Sequence, residues 1–293
     1  PSLLLMDKGF LTAVQVILTS AIGMFGVAYM TECIPATATE PGVFRWDDME
    51  RIAARIAEVK SRCRWCIVVA HGGEEFARFK AQYPDHIVIS YVNCSAEIKA
   101  MSDLICTSGN AEKLVRSLPE DQKIIFAPDR NLGGYINRVT GREMVLWDGC
   151  CTVHDALRAE TVLKLKAENP GVPVVAHPEC RKELLDVADF VGSTKAMLTY
   201  IQNSPSDTII VGTERGILYE MQQANPSKRF IPVTSPNGCP CECGYMKQNT
   251  LENLYACLRD ETPEIVMSPE IIEKAKKPIV RMLEMSKQLG IIK

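Results

Sequence analysis

Two groups of cysteines have a spacing that is typical of metal ligands. Cys150 and Cys151 are neighbours, and a Cys-Pro-Cys-Glu-Cys run occupies positions 239–243. Adjacent exposed thiols are seldom kept for packing, whereas thiolates bind zinc and iron–sulfur clusters. Zinc sites generally use C-x2-C pairs, and single residues separate the cysteines of this run, but zinc stays open as a rival metal. The cysteines on predicted helices or strands are interpreted as small buried residues: Cys94, Cys106, Cys180 and Cys257.

An internal repeat places further polar residues at matched positions. Residues near 86–110 align with residues near 173–197. The pairs, each 86 positions apart, are Tyr91 with His177, Cys94 with Cys180, Asp103 with Asp189 and Ser108 with Thr194. Further along, 123–133 aligns with 208–218 at a spacing of 85. Such self-similarity predicts two copies of one structural unit.

The same period connects the cysteines. A step of 85 back from Cys151 leads to position 66, which is also a cysteine. Three equivalent units that each donate one thiolate would converge on one metal centre. Cys66, Cys151 and a cysteine of the 239–243 run are therefore the candidate metal ligands.

Each copy of the repeat predicts parallel strands in βαβ units. An apolar run such as 87–89 or 174–176 precedes polar residues, an amphipathic helix and a second apolar run that ends in Ser or Thr. Ligands of open α/β sheets gather at the carboxyl ends of the strands, where helix N-termini present free N–H groups. Polar side chains stand at these ends: Tyr91, Asn93, Ser108, His177, Glu179 and Thr194.

Each of the Ser, Thr and Asn residues at these strand ends, taken singly, is more simply interpreted as a helix cap. Their recurrence at matched strand ends favours a shared site for an anionic ligand.

The composition indicates a globular chain of two or three domains. It has 293 residues, 46% of them hydrophobic, and a formal net charge of −3. Because binding of nucleic acid needs a basic surface, this balance argues against a nucleic-acid partner. Twelve cysteines are too few for a disulfide-built secreted domain, and no signal-peptide pattern opens the sequence. Residues 10–31 carry no charge, but their glycines and polar residues favour a buried strand and helix over a membrane span.

Ordered motifs in the later part of the chain resemble bacterial quinolinate synthase. They include SYVN, CTSGNA, FAPDRNLGGYI, CTVHDA, HPEC, ADFVGST, GTERGI and CGYMKQNTLENLYACL. The resemblance covers about 77–293. It implies three α/β domains with short parallel sheets, related by a pseudo-threefold axis. A [4Fe-4S] cluster would lie at their junction, held by one cysteine from each domain.

The resemblance also implies an activity. The family condenses iminoaspartate with dihydroxyacetone phosphate to quinolinate in NAD biosynthesis, with release of phosphate and water. The implied substrates are these two small molecules, and the implied partner is an aspartate-oxidising enzyme that supplies iminoaspartate. An oxygen-labile cluster implies a cytoplasmic location.

Carried over by position, the family's cluster ligands are Cys151 and Cys243. Its substrate-binding residues correspond to Tyr91, Asn93, Ser108, His177, Glu179 and Thr194. Three thiolates leave one iron of a four-iron cluster open, and an open iron acts as a Lewis acid in dehydration.

Within this set, Tyr91, His177 and Glu179 are the candidate catalytic residues. Glu179 is the candidate general base, and Tyr91 is a proton donor or a partner of a substrate carboxylate. Ser108 and Thr194 would donate to the phosphate or the dicarboxylate.

The first domain departs from the family pattern. Ala-His-Asn-Tyr-like and Gly-Asp-Ser elements do not occur before residue 77, and CRWCIVVAHGG replaces an expected Cys-Ser-Leu-Ala-Asp-like loop. Cys66 is therefore the candidate first ligand, with Cys63 as the alternative. Residues 22–77 also resemble a capsule-biosynthesis metallophosphatase segment, in which His71 and Glu74 would belong to a metal site.

Two functions follow for the chain as a whole. One is an active quinolinate synthase with an atypical first domain. The other is a catalytically silent relative that binds a metal or a dicarboxylate. The predicted domains are 1–84, 85–168 and 169–262, followed by a C-terminal helix in 263–293 that packs back on the first domain. Pro278 is expected to kink this helix or to divide it.

Overall fold

The computed structural model describes residues 73–236, 241–261 and 266–292. These residues form an α/β structure with two four-stranded sheets in which every strand pair is parallel. The first sheet contains β1 (Ile87–Tyr91), β2 (Leu104–Cys106), β3 (Ile124–Ala127) and β4 (Val145–Leu146). The second contains β5 (Val174–Ala176), β6 (Phe190–Val191), β7 (Thr208–Gly212) and β8 (Arg229–Pro232). The predicted α/β class with short parallel sheets is confirmed.

Both sheets have the same strand order. β1 lies between β2 and β3 with β4 at the edge, and β5 lies between β6 and β7 with β8 at the edge. The middle strands are continuous apolar runs because helices cover both faces of a parallel sheet, and every residue of β3 is buried. The two copies predicted from the repeat are therefore confirmed.

One aspartate in each sheet makes equivalent hydrogen bonds to the backbone of the central strand. Val88 at the start of β1 donates its N–H to Asp103 Oδ2 at 2.8 Å, and the Asp103 N–H donates to the Val88 carbonyl at 2.9 Å. Val174 and Asp189 exchange the equivalent bonds at 2.8 and 2.9 Å. The N–H and carbonyl groups near the start of each central strand are thus hydrogen-bonded by an aspartate that occupies the same position in both copies of the repeat.

Helices connect the strands and cover the sheets. In chain order they are α1 (Gly73–Ala81), α2 (Ala96–Ala100), α3 (Ala111–Arg116), α4 (Arg130–Thr140), α5 (Thr152–Ala156), α6 (Ala159–Glu168), α7 (Lys182–Leu185), α8 (Thr194–Asn203), α9 (Ile217–Ala224), α10 (Leu251–Asp260) and α11 (Pro269–Gln288). Caps set several of these bounds. Asp129 accepts the Leu132 N–H at the start of α4, and Gly141 ends this helix at a φ of 72°.

The last helix packs on the first of the two sheets. Its Met282 and Met285 contact the apolar cluster around β2, and the Ser286 hydroxyl accepts from Asn110 Nδ2 at 3.4 Å. Its predicted packing on the first domain stays a prediction, because only residues 73–84 of that domain are described. The predicted division at Pro278 is wrong, because α11 runs unbroken through this proline.

Several predictions fall on residues that the structure does not describe. They concern the candidate ligands Cys66 and Cys63, His71, the first cysteine of the 239–243 run and the uncharged stretch 10–31. In the described part of the chain, none of the helices combines the length and the apolar character of a membrane span.

Candidate active site and metal centre

The polar side chains that the repeat had paired lie at the carboxyl ends of the strands of the two sheets. Tyr91 is the last residue of β1, and Ser108 follows β2 by two residues. His177 directly follows β5, and Thr194 begins α8 shortly after β6. Since β1 is adjacent and parallel to β2, as β5 is to β6, each pair shares one edge of its sheet.

Tyr91 connects the two units electrostatically. Burial raises the pKa of Tyr91 well above its usual value, and the negative charge of Glu179 in the other unit raises it further. Tyr91 is therefore a neutral hydrogen-bond donor that lies within the field of Glu179.

Three titratable residues form a compact buried group. His154 Nδ1 lies 2.9 Å from Glu179 Oε2, and the His154 ring stacks on the His177 ring with their centroids 4.6 Å apart. His177 Nδ1 lies 3.7 Å from the same carboxylate oxygen. All three residues are at most 7% exposed, so solvent screens their charges weakly.

The pKa of His154 is raised, whereas the pKa values of Glu179 and His177 are lowered. Burial disfavours the charged form of His154, but the hydrogen bond and charge of Glu179 outweigh it and raise the pKa of His154 to about 9. Burial also opposes ionisation of Glu179, but His154 and His177 overcome it and lower the pKa of Glu179 to about 2. At His177 burial dominates and lowers the pKa to about 3. At neutral pH Glu179 is therefore anionic, His154 is protonated and His177 is neutral.

Cys151 joins the group through His154. Its Sγ lies 3.1 Å from His154 Nδ1, and Nε2 of the same ring lies 2.9 Å from Thr213 Oγ1. Cys151, His154 and Glu179 offer ligand atoms within 4.8 Å of one another, which is a donor set that transition metals accept. Burial raises the pKa of the Cys151 thiol well above its usual value. A metal ion at this thiol would favour the thiolate.

Cys243 occupies the corresponding place in the second unit. Its backbone N–H donates to Glu214 Oε1 at 3.1 Å, and Glu214 directly follows the threonine that contacts His154. Cys151 and Cys243 also pack against the same apolar cluster, which includes Val233. The two described candidate ligands therefore border one region of the molecule.

The matched strand ends of the two units approach each other beside this group. A Cβ placed on Gly109 would lie 3.6 Å from Ser193 Oγ, and these residues are neighbours of Ser108 and Thr194. Ser193 caps α8 by accepting the Ala196 N–H at 3.3 Å. The first turn of this ten-residue helix has the free N–H groups that bind anions.

The remaining residues at the site include Asn93 and Thr194, which the sequence predicts, and His154 and Thr213, which it does not. Asn93 is exposed two residues beyond β1, and Thr194 is half-buried at the first position of α8. Sequence reasoning did not single out His154 or Thr213. His154 lies three residues after Cys151 in the CTVHDA motif, and that proximity of an imidazole to a candidate thiolate is the signal that could have identified it.

Comparison with known proteins decides the family. The model of the family described as Quinolinate synthetase A protein matches residues 51–284. This chain belongs to that family. The match begins earlier than the motifs that the sequence shares with quinolinate synthase, and it includes the position of Cys66.

Quinolinate synthases from three organisms are similar to the chain. Those of Microcystis aeruginosa (strain NIES-843), Gloeothece citriformis (strain PCC 7424) and Thermosynechococcus vestitus (strain BP-1) are 57%, 55% and 56% identical to it. Each match covers 73% of this chain and 67% of the relative. The residues described above as one buried group lie within these matched regions of the family model.

Proposed function

We propose that this chain is a quinolinate synthase, which condenses iminoaspartate with dihydroxyacetone phosphate to quinolinate in NAD biosynthesis. One observation carries the proposal. His154 of the first unit lies between Glu179 of the second unit and the thiol of Cys151, with its Nδ1 2.9 Å from Glu179 Oε2 and 3.1 Å from Cys151 Sγ. The names of the relatives support the same reaction.

We propose that the resident cofactor is a [4Fe-4S] cluster held by Cys151, Cys243 and Cys66. The donor chemistry fits, because thiols stand at equivalent places of the two described units and the His154 Nδ1 lies 3.1 Å from one of them. Hydrogen bonds to ligand sulfur tune such clusters. When bound, an open iron supplies a Lewis acid for loss of the substrate hydroxyl.

The protein side chains suit two anionic substrates. Ser108 and Tyr91 are neutral donors at the strand ends of the first unit, and the N-terminus of α8 at Thr194 adds backbone N–H groups in the second. Asn93 would contribute its amide from the exposed rim. Such donors can bind carboxylates and a phosphate and orient them towards the buried group.

Glu179 and His154 provide a proton acceptor and a proton donor in one place. Tautomerisation of a condensation intermediate removes a proton from one atom and delivers one to another. The carboxylate of Glu179 is ionised and can accept, and His154 holds a proton 2.9 Å away that it can deliver. Neutral His177 and the Tyr91 phenol can hydrogen-bond the substrate on either side without competing for its charge.

The wider arrangement is part of the same proposal. We propose three pseudo-threefold-related domains at 1–84, 85–168 and 169–262, so that each would donate one cysteine. The segment 263–293 would contact the first domain as well as the sheet on which it packs. The labile cluster and the supply of iminoaspartate by an aspartate-oxidising enzyme would place the protein in the cytoplasm.

A second function has its own supporting observation. The ligand atoms of Cys151, His154 and Glu179 lie close enough to bind a single ion such as zinc. In that case the chain would be a catalytically silent, metal- or dicarboxylate-binding relative. Glu179 distinguishes the two functions, because it is a ligand in the second and a proton-transferring residue in the first.

Glu179→Gln tests the choice. In a quinolinate synthase this change leaves the iron and sulfide content unchanged, while the rate of quinolinate formation falls by about 10²–10⁴-fold. In a single-ion site it removes a ligand and lowers bound metal. The matched control is Glu183→Gln, an exposed carboxylate in the next helix, which should change neither quantity.

Metal analysis and a quinolinate assay on anaerobically prepared protein measure both outcomes. Normal turnover by the Glu179→Gln protein would refute the catalytic assignment. Wild-type protein that contains one zinc ion and no sulfide would favour the second function.

A further inference from the structure

We propose that Asp129 and Glu214 are positioning residues that hold the two cysteine ligands in matching orientations. Each carboxylate binds the backbone of a cysteine-bearing loop to the end of the third strand of its own sheet. The proposal rests on the proposed cluster site, but the geometry on which it stands is visible in the protein alone.

Asp129 connects three parts of the first unit. Its Oδ1 accepts the Leu132 N–H of α4 at 2.6 Å, and its Oδ2 accepts the Cys151 N–H at 2.6 Å. The next residue, Arg130, donates its N–H to the Gly149 carbonyl at 2.8 Å. The loop before the cysteine is therefore fixed at two points that lie two residues apart.

Glu214 makes the same set of bonds in the second unit. Its Oε2 accepts the Gly216 N–H at 2.6 Å, and its Oε1 accepts the Cys243 N–H at 3.1 Å. Arg215 donates its N–H to the carbonyl of Cys241 at 3.1 Å, again two residues before the ligand. The repeat period of 85 relates Asp129 to Glu214, so the arrangement is one device used twice.

These carboxylates do more than cap helices. The capping residues Ser95, Ser193, Thr250 and Ser268 each accept one N–H from their own helix. Asp129 and Glu214 use their second oxygen on a cysteine more than twenty residues away. Both are at most 6% exposed, so the bonds are shielded from competing water.

The loop at the first cysteine also has little room to move. A Cβ on Gly149 would lie 2.4 Å from the carbonyl oxygen of Pro128, which immediately precedes Asp129. This close approach of two backbones requires glycine. With its N–H and the carbonyl two residues earlier both fixed, the backbone at Cys151 gives its side chain a defined direction.

Amide variants remove one of the two acceptor oxygens. In Asp129→Asn one oxygen remains for the Leu132 and Cys151 N–H groups, so the side chain can no longer bind α4 and the cysteine loop together. Glu214→Gln does the same at Cys243. The controls are Asp103→Asn and Asp189→Asn, because these carboxylates also accept a backbone N–H at 2.8 Å but at the opposite ends of the same sheets.

Two readouts are measured on the full chain. The first is the half-life of the reconstituted cluster in the presence of an iron chelator, followed by its visible absorption. The second is the rate at which iodoacetamide alkylates each thiol in the metal-free protein, located by fragment-ion mass spectrometry. Loss of supporting bonds around a metal ligand typically weakens the site 10–100-fold, so we expect at least about tenfold faster cluster loss in Asp129→Asn and Glu214→Gln.

The alkylation rates test the local assignment. Asp129→Asn should accelerate modification of Cys151 more than that of Cys243, and Glu214→Gln should do the reverse. Both controls should match the wild type in both readouts. Equal effects of Asp129→Asn and Asp103→Asn would overturn the proposal, as would equal reactivity of Cys151 in wild-type and Asp129→Asn protein.

The two proposals can fail separately. Wild-type protein that acquires no iron and sulfide refutes the cluster, and the alkylation rates then decide the role of the carboxylates. A stable wild-type cluster with unchanged variants supports the proposed function and overturns the positioning role.

Discussion

Asp155 connects helix α5, which directly follows Cys151, to the loop that carries Glu179. Its Oδ2 accepts from Arg181 Nη2 at 2.5 Å, and its Oδ1 accepts from Asn131 Nδ2 at 3.1 Å. Arg181 also donates through Nε to the Asp155 carbonyl at 3.0 Å. We predict that Asp155→Asn lowers both the stability of the protein and the rate of quinolinate formation, because this contact connects the two units at the site.

The size of the effect follows from burial. The Asp155 side chain is 15% exposed and that of Arg181 is 39% exposed, so solvent screens the pair only in part. A charged hydrogen bond of this kind contributes about 1–2 kcal/mol after that discount. For a chain of 293 residues, such a loss lowers the melting temperature by about 2–3 °C.

A neighbouring aspartate supplies the control. Asp148 forms an ion pair with Arg130 at 2.9 Å, but its side chain is 91% exposed. Asp148→Asn should change stability by less than about 0.5 kcal/mol. Thermal unfolding of wild type and both variants, followed by circular dichroism, measures the difference. Equal melting temperatures for Asp155→Asn and Asp148→Asn would refute the reasoning.

The same pair predicts a pH dependence. Burial opposes ionisation of Asp155, but the hydrogen bonds from Arg181 and Asn131 outweigh it and lower the pKa of Asp155 from its usual value. Its contribution to stability is therefore fully present above the unfolded pKa and is lost as the pH falls through the lower folded pKa. The gap in melting temperature between wild type and Asp155→Asn should be constant from pH 7 to about pH 5 and should narrow below pH about 4. A gap that stays constant at pH 3.5 would contradict this assignment.

Two further changes test packing and substrate contact. Gly133→Ala should destabilise the fold by about 1–3 kcal/mol, because its Cβ would lie 2.6 Å from Leu146 Cδ2. Gly134→Ala, with no atom within 4 Å of its Cβ, should stabilise α4 by about 0.5–1 kcal/mol in urea unfolding, and effects of equal sign would show the packing argument to be wrong. Tyr91→Phe removes a buried hydroxyl donor and should lower quinolinate formation by about 10–100-fold, whereas unchanged turnover would exclude Tyr91 as a donor.

The repeat explains why much of the fold could be predicted from the sequence. Asp103 and Asp189 coincide in the alignment and make the same reciprocal bonds in the structure. Tyr91 and His177 coincide as well, and both lie at the carboxyl end of a central strand. Apolar runs and their spacing can be read directly from the sequence, and they indicate which segments form buried strands and amphipathic helices.

Contacts between the units were harder to predict. The sequence does not show that His154 belongs to the site. Only the fold places Glu179 Oε2 beside its Nδ1 and Thr213 Oγ1 beside its Nε2. The pairing of Asp129 with Glu214 was present in the alignment of 123–133 with 208–218, but nothing in the sequence shows which N–H a carboxylate will accept. Such partners depend on tertiary packing rather than on spacing.

The last helix shows a limit of local rules. The break expected at Pro278 does not occur, because α11 continues through this buried proline. Ala275 is buried one turn before the proline, and Met282 and Met285 pack against the first sheet after it. Burial of an apolar face outweighs the missing hydrogen bond.

Iron and acid-labile sulfide in the anaerobically reconstituted full chain test the central claim most directly. The account predicts about four of each per chain in the wild type, and their loss in both Cys151→Ser and Cys243→Ser. A single zinc ion, or iron that survives both replacements, would contradict it.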